Sequence, residues 1–108
     1  MRLVELVKYL TNPQQLAELY QKLRLNTESE ALLIYVRGTL DPESEIAIFG
    51  IEETEDDIIF KKEGVQYIQL FSVDHAIRLI ESDLQLKNKG YSDIQIAKRL
   101  LQYRQNDA

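Results

Sequence analysis

Residues 58–71 read IIFKKEGVQYIQLF, and the fold hangs on what the Glu63-Gly64 pair does in the middle of them. Two runs rich in Ile, Val, Phe and Tyr flank a two-residue break whose Gly supplies the positive φ of a tight hairpin turn. The spacing predicts antiparallel strands over 58–62 and 65–71. Toward the N-terminus, 45–51 (EIAIFGI) alternates Ile46 and Ile48 with Ala47, Phe49 and Ile51, while 31–37 (ALLIYVR) is a short continuous apolar run. Such a run fits a strand buried on both faces. A helix is the competing reading for both: 31–37 is too short to carry a decisive period, and Asp41-Pro42-Glu43 is also a good helix start. Gly50 and the Ile and Phe content favour strand for 45–51.

On either side of this block the period becomes helical. Leu3, Leu6, Val7 and Leu10 fall at i, i+3, i+4 and i+7, and Thr11-Asn12-Pro13 ends the stripe. A second helix is expected at once, with Asn12 as N-cap, Pro13 in the first turn, Gln15 closing a capping-box variant, and Leu16, Leu19, Tyr20 and Leu23 as its apolar stripe. After Phe71, Ser72 can cap a helix bearing Val73, Ala76, Ile77, Ile80 and Leu84, expected to run to about Lys89 before Gly90 stops it. The last helix has the strongest local signature: Ser92 and Gln95 stand as a capping box, Tyr91 and Ile96 as a hydrophobic staple. Residues 105–108 are expected to fray. The whole is one α+β domain over 1–108, in the order α-α-β-β-β-β-α-α. An antiparallel meander sheet with helices packed mainly on one face is the expected architecture.

Composition agrees with a folded domain. Of 108 residues 44% are hydrophobic and 29% charged, with a formal net charge of -5. A chain of this length buries roughly 65% of its unfolded surface, enough for a core without disulfide or metal staples. The longest uncharged apolar run, 31–36, is far shorter than a membrane span, and Glu5 and Lys8 interrupt the first ten residues where a signal peptide would be apolar. A soluble, cytoplasmic protein is therefore expected. With no Cys there is no thiol nucleophile, cysteine zinc site or iron–sulfur cluster.

The inventory for catalysis is thin. His75 is the single histidine, and Ser72 at i-3 reads as a helix cap rather than as its nucleophile. The four glycines are scattered, so no phosphate-cradling loop forms, and the acidic residues lack the alternating spacing and central Gly of a calcium loop. No cofactor, no metal site and no enzymatic activity are expected; a site around His75 ranks third among the functional readings.

The segment GYSDIQIAKRLL (90–101) resembles the first helix of a helix-turn-helix, with Ser92 as cap and Ile96-Ala97 as the inward pair. That resemblance implies DNA binding, but the sequence ends within a few residues of the helix and no recognition helix follows. Charge is polarised along the chain: residues 1–57 hold 5 basic and 12 acidic residues, and residues 58–108 hold 8 and 6. Lys87, Lys89, Lys98, Arg99 and Arg104 form a modest basic set. A dimeric nucleic-acid-associated regulator using that set is the second reading, weakened by the acidic half. The first reading is a non-enzymatic interaction domain, of the inhibitor, immunity or antitoxin-like kind, that meets a basic protein. Its expected contact residues are Glu52, Glu53, Glu55, Asp56 and Asp57, five carboxylates in six positions read as a partner-facing connection rather than a fold element. A homodimer is compatible with either reading.

Overall fold

The computed structural model describes residues 1–107. The chain forms α1 (Leu3–Thr11), a 3-10 turn (Pro13–Gln15), α2 (Leu16–Leu23), β1 (Leu32–Arg37), β2 (Ile46–Gly50), α3 (Ile51–Thr54), β3 (Ile59–Lys62), β4 (Val65–Ser72), α4 (Val73–Arg78) and α5 (Asp93–Asp107). The α+β class and the placement of helical pairs around four antiparallel strands agree with the sequence reading. The strand order is β2-β1-β4-β3. Two hairpins therefore lie side by side, joined through β1 and β4, instead of following one another as a meander. Burial explains the order: Leu33, Ile34, Tyr35 and Val36 are all buried, and such a run belongs between two neighbours rather than at an edge.

The Glu63-Gly64 turn has φ of 53° and 79°, both left-handed, as a two-residue turn matching strand twist requires. Helix formation at Asp41-Pro42-Glu43 is ruled out by the contacts made there. The Glu43 amide donates to Asp41 Oδ1 and the Ser44 amide to the Asp41 carbonyl, closing a turn. That turn caps α1 from outside: Leu3 N–H donates to the Ser44 carbonyl and Val4 N–H to the Pro42 carbonyl, satisfying two amides a helix start leaves open. The Ile46 amide also donates to the Met1 carbonyl, so the N-terminus lies along β2.

Leu3, Leu6, Val7, Leu10, Leu19, Ile34, Val36, Leu79, Ile80 and Leu100 are fully buried and belong to one core between the sheet and the helices. A β-bulge at Ile34/Tyr35 shifts the β1–β4 register from Gln69 to Phe71. The extra residue lets Leu70 and Phe71 both join the helix-side core, while Gln69 stays on the face of Tyr35.

Two helix boundaries differ from the sequence reading. Asn12 makes no N-cap hydrogen bond; its side-chain amide donates back to the Lys8 carbonyl, closing the end of α1, and α2 starts after the 3-10 turn. The helix begun at Ser72 stops early. After α4 the chain passes through a π turn (Leu79–Asp83), a left-handed Gln85 at φ 52°, and a 3-10 turn (Leu86–Lys89) before Gly90 at φ 72°. The reversal at Gln85 buries Leu86 and leaves Lys87 and Lys89 exposed. Ser82 and Asp83, both weak helix formers, sit where it occurs.

Two caps form as read. Ser72 Oγ accepts the His75 amide at 3.1 Å. The Ser92 amide donates to Gln95 Oε1 at 2.9 Å and the Gln95 amide to Ser92 Oγ at 3.4 Å, while Tyr91 packs on the core that holds Ile96. Helix α5 continues through residues 105–107, and Ala108 lies outside the described residues. Ser92→Ala is expected to destabilise the domain by about 1 kcal/mol. Urea unfolding checks this, and an unchanged midpoint would show that the cap contributes nothing to α5.

Candidate functional site

The acidic segment is a fold element, which corrects its reading as a bare connection. Residues 51–54 form α3, and Glu55 and Asp56 follow in left-handed conformation at φ 52° and 59°. What holds this turn is Tyr35, fully buried at the centre of β1. Its hydroxyl donates to the Asp57 carbonyl at 2.7 Å, stands 3.0 Å from the Thr54 hydroxyl and accepts from the Gln69 side-chain amide at 3.2 Å. Thr54, 1% exposed, sits beneath the segment. The sheet face opposite the helices is thus not solvated at its centre. Tyr35, Phe49, Phe60 and Tyr67 pack there edge to face or tilted, with ring centroids 5.2–6.2 Å apart. Nothing in the spacing of residues 52–57 signalled this role; the one available hint was Thr54, the lone non-carboxylate of the run.

The five carboxylates part company. Glu52 is taken by the loop before β1: its carboxylate accepts the Ser29 hydroxyl and, at 2.9 Å, the Glu30 amide. Gly50 makes room for that tie, since a Cβ at 50 would lie 2.8 Å from Ser29 Oγ. Glu53 pairs with Lys62 Nζ at 2.7 Å, and Asp56 Oδ1 accepts the Gln69 amide at 2.9 Å. The carboxylates of Glu55 and Asp57 have no ion-pair partner among the described residues, nor do those of Glu28 and Glu30, which the Glu52 tie brings beside α3. Beside them Ile58 and Ile59 are 54% and 47% exposed. Ile59 opens β3, an outer strand of the sheet, and Ile58 immediately precedes it.

The Ser29 hydroxyl, followed by the Glu30 amide, holds the Glu52 carboxyl below the usual carboxylate range. A group held lower when folded contributes stability that is full above its unfolded pKa and fades as pH falls through its folded value. The loop tie is therefore expected to weaken in acid, below about pH 4.3. Thermal melts from pH 6 to pH 3 should fall less steeply for Glu52→Gln than for the native chain; parallel curves would mean the tie is not formed in solution.

A second site surrounds the histidine. A cleft of about 400 Å³ opens between the α3 turn, the start of α4 and the end of α5, with His75, Ser72, Asp56, Tyr103 and Arg104 on its walls. The Ser72 hydroxyl receives the backbone of His75 and not its ring, so the two are not arranged as nucleophile and base. The imidazole instead packs edge to face on Phe71 and Tyr103, at 5.6 and 5.9 Å. Arg104 Nε donates to the Gln69 carbonyl at 2.9 Å.

The remaining basic residues divide. Arg99 lies over the Tyr91 ring at 5.4 Å and, with Lys89, lines a separate groove of about 460 Å³. Lys87 and Lys98 are exposed. No cluster of three or more His, Asp or Glu among the described residues is arranged to hold a metal ion, and no helix is long and apolar enough to cross a membrane. No protein-family model matches the chain, and no curated protein or solved structure matches it at a significant level.

Proposed function

We propose that the chain is a non-enzymatic interaction domain acting in the cytoplasm, which receives a basic protein on the surface formed by its acidic segment and the start of β3. The observation that supports this most is the adjacency of Ile58 and Ile59, exposed at the start of an outer strand, to carboxylates without internal partners. Outer strands invite pairing with another chain and are ordinarily guarded by charge. Here Lys61 and Lys62 guard the hairpin end alone, and the opposite end presents isoleucine. An extended basic segment added along β3 would gain backbone hydrogen bonds and apolar contact. Glu28, Glu30, Glu55 and Asp57 would speed its approach. Such a surface suits an inhibitor or an immunity or antitoxin-like neutraliser. Glu52, Glu53 and Asp56, committed to internal contacts, support the surface from behind.

The test is association kinetics with the protein retained by the immobilised domain from its own cells. That protein is expected to carry net positive charge. Reversing Glu30, Glu55 and Asp57 to Lys should slow its association about 10-fold and flatten the salt dependence. Ile59→Lys should abolish retention. Unchanged kinetics in both variants would overturn the proposal. So would a native homodimer in sedimentation that Ile59→Lys returns to monomer, since a second copy would then occupy the edge.

A further inference from the structure

We infer that the cleft beside His75 binds a free α-amino acid with an apolar side chain. The argument starts from two opposite charges that share one cavity without pairing. Asp56 and Arg104 both line it, yet no ion pair joins them. Gln69 holds each in place separately: its side-chain amide donates to Asp56 Oδ1 at 2.9 Å, and its backbone carbonyl accepts from Arg104 Nε at 2.9 Å. With Nε so used, the two terminal nitrogens of the guanidinium, a planar fork matched to a carboxylate, have no partner among the described side chains. Asp56 Oδ2 likewise accepts no hydrogen bond there. The left-handed backbone at Asp56, φ 59°, is a conformation a non-glycine residue adopts at some cost, and it is what sets this carboxylate on the cleft wall.

Apart from Gln69 and Ser72, the rest of the wall is aliphatic and aromatic. Leu33 and Ile51 line the cleft with Phe71, His75 and Tyr103, whose rings meet edge to face or tilted at 5.6–6.3 Å. A volume of about 400 Å³ lies within the range of small-ligand sites. A zwitterion satisfies the arrangement: its carboxylate faces Arg104, its ammonium faces Asp56, and its side chain rests against the aromatic and aliphatic wall. An acid lacking the ammonium, or an amine lacking the carboxylate, would match only one of the two charges and forgo the charge-assisted hydrogen bonds of the other.

Calorimetric titration with L-phenylalanine and L-leucine tests the inference. 3-Phenylpropionate and 2-phenylethylamine serve as the arms carrying one charge each. Saturable binding of at least one amino acid is expected, with each single-charge analogue at least about 10-fold weaker. Asp56→Asn keeps an oxygen for Gln69 and tolerates the left-handed backbone. It should weaken the amino acid about 10-fold or more while leaving 3-phenylpropionate unchanged. Arg104→Gln should weaken both acids. Amide shifts of the unsubstituted protein provide a readout that does not depend on variants folding, and they should concentrate at Leu33, Gln69, His75 and Tyr103. No saturation by either amino acid at about 10 mM, shifts centred elsewhere, or equal affinity for amino acid and single-charge analogues would each overturn the assignment.

Discussion

Leu100→Ala is expected to cost the domain about 3–5 kcal/mol, the largest single effect foreseen for this chain. Leu100 is completely buried on α5, in the same core as Leu6 and Leu10 of α1, at the meeting of the two ends of the sequence. Truncation removes the transfer energy of the side chain and leaves a cavity between elements pinned by caps at Ser92 and by the Met1–Glu45 and Arg2–Glu43 ion pairs. Because domains of this size have total stabilities of about 5–15 kcal/mol, the variant should lose a large fraction of its folded margin. Denaturant unfolding measures it directly. A loss below about 1 kcal/mol would mean that α5 does not close the core over α1.

The second large effect is at Tyr35. Tyr35→Phe keeps the ring among Phe49 and Phe60, yet removes the hydroxyl that meets the Asp57 carbonyl, Thr54 and the Gln69 amide. Leaving these groups without their partner is expected to cost about 1–3 kcal/mol. The damage should be local: amide hydrogen exchange over residues 54–57 should accelerate while α1 and α5 keep their protection. Full stability with unchanged exchange would show that the acidic turn is not anchored on β1. The same variant bears on both proposals, since the turn presents Glu55 and Asp57 outward and Asp56 to the cleft.

Particular residues show where sequence was enough and where it was not. Glu63-Gly64 identified its own hairpin because positive φ at two successive positions is a local demand. The apolar stripe of α1 and the Ser92–Gln95 box were legible for the same reason: the signal and the contact lie within one turn of helix. Asn12 misled because its side chain could serve either helix, and the end of α1 took it. The helical period after Ser72 outruns the helix itself because burial of Leu86, a tertiary matter, goes with a chain reversal at Gln85.

Of the candidate surface, the five carboxylates at 52–57 were visible from composition. Their division was not: Glu52 answers to Ser29, Glu53 to Lys62 and Asp56 to Gln69, over sequence separations of 23, 9 and 13 residues. The cleft uniting Asp56, His75 and Arg104 has no sequence signature at all, since its walls come from β1, the α3 turn, β4, α4 and α5, which lie far apart along the chain. By itself, then, the sequence determined the α+β class, the order of elements, the hairpin turn and the caps at Ser72 and Ser92, because each follows from hydrogen bonds and side-chain periods spanning a few residues. Only the tertiary structure decided the strand order β2-β1-β4-β3, the burial of Tyr35 under the acidic turn and the exposed edge at Ile58 and Ile59. Those depend on which apolar surfaces meet across the sheet, and that choice minimises exposed area over the whole chain rather than within any one segment.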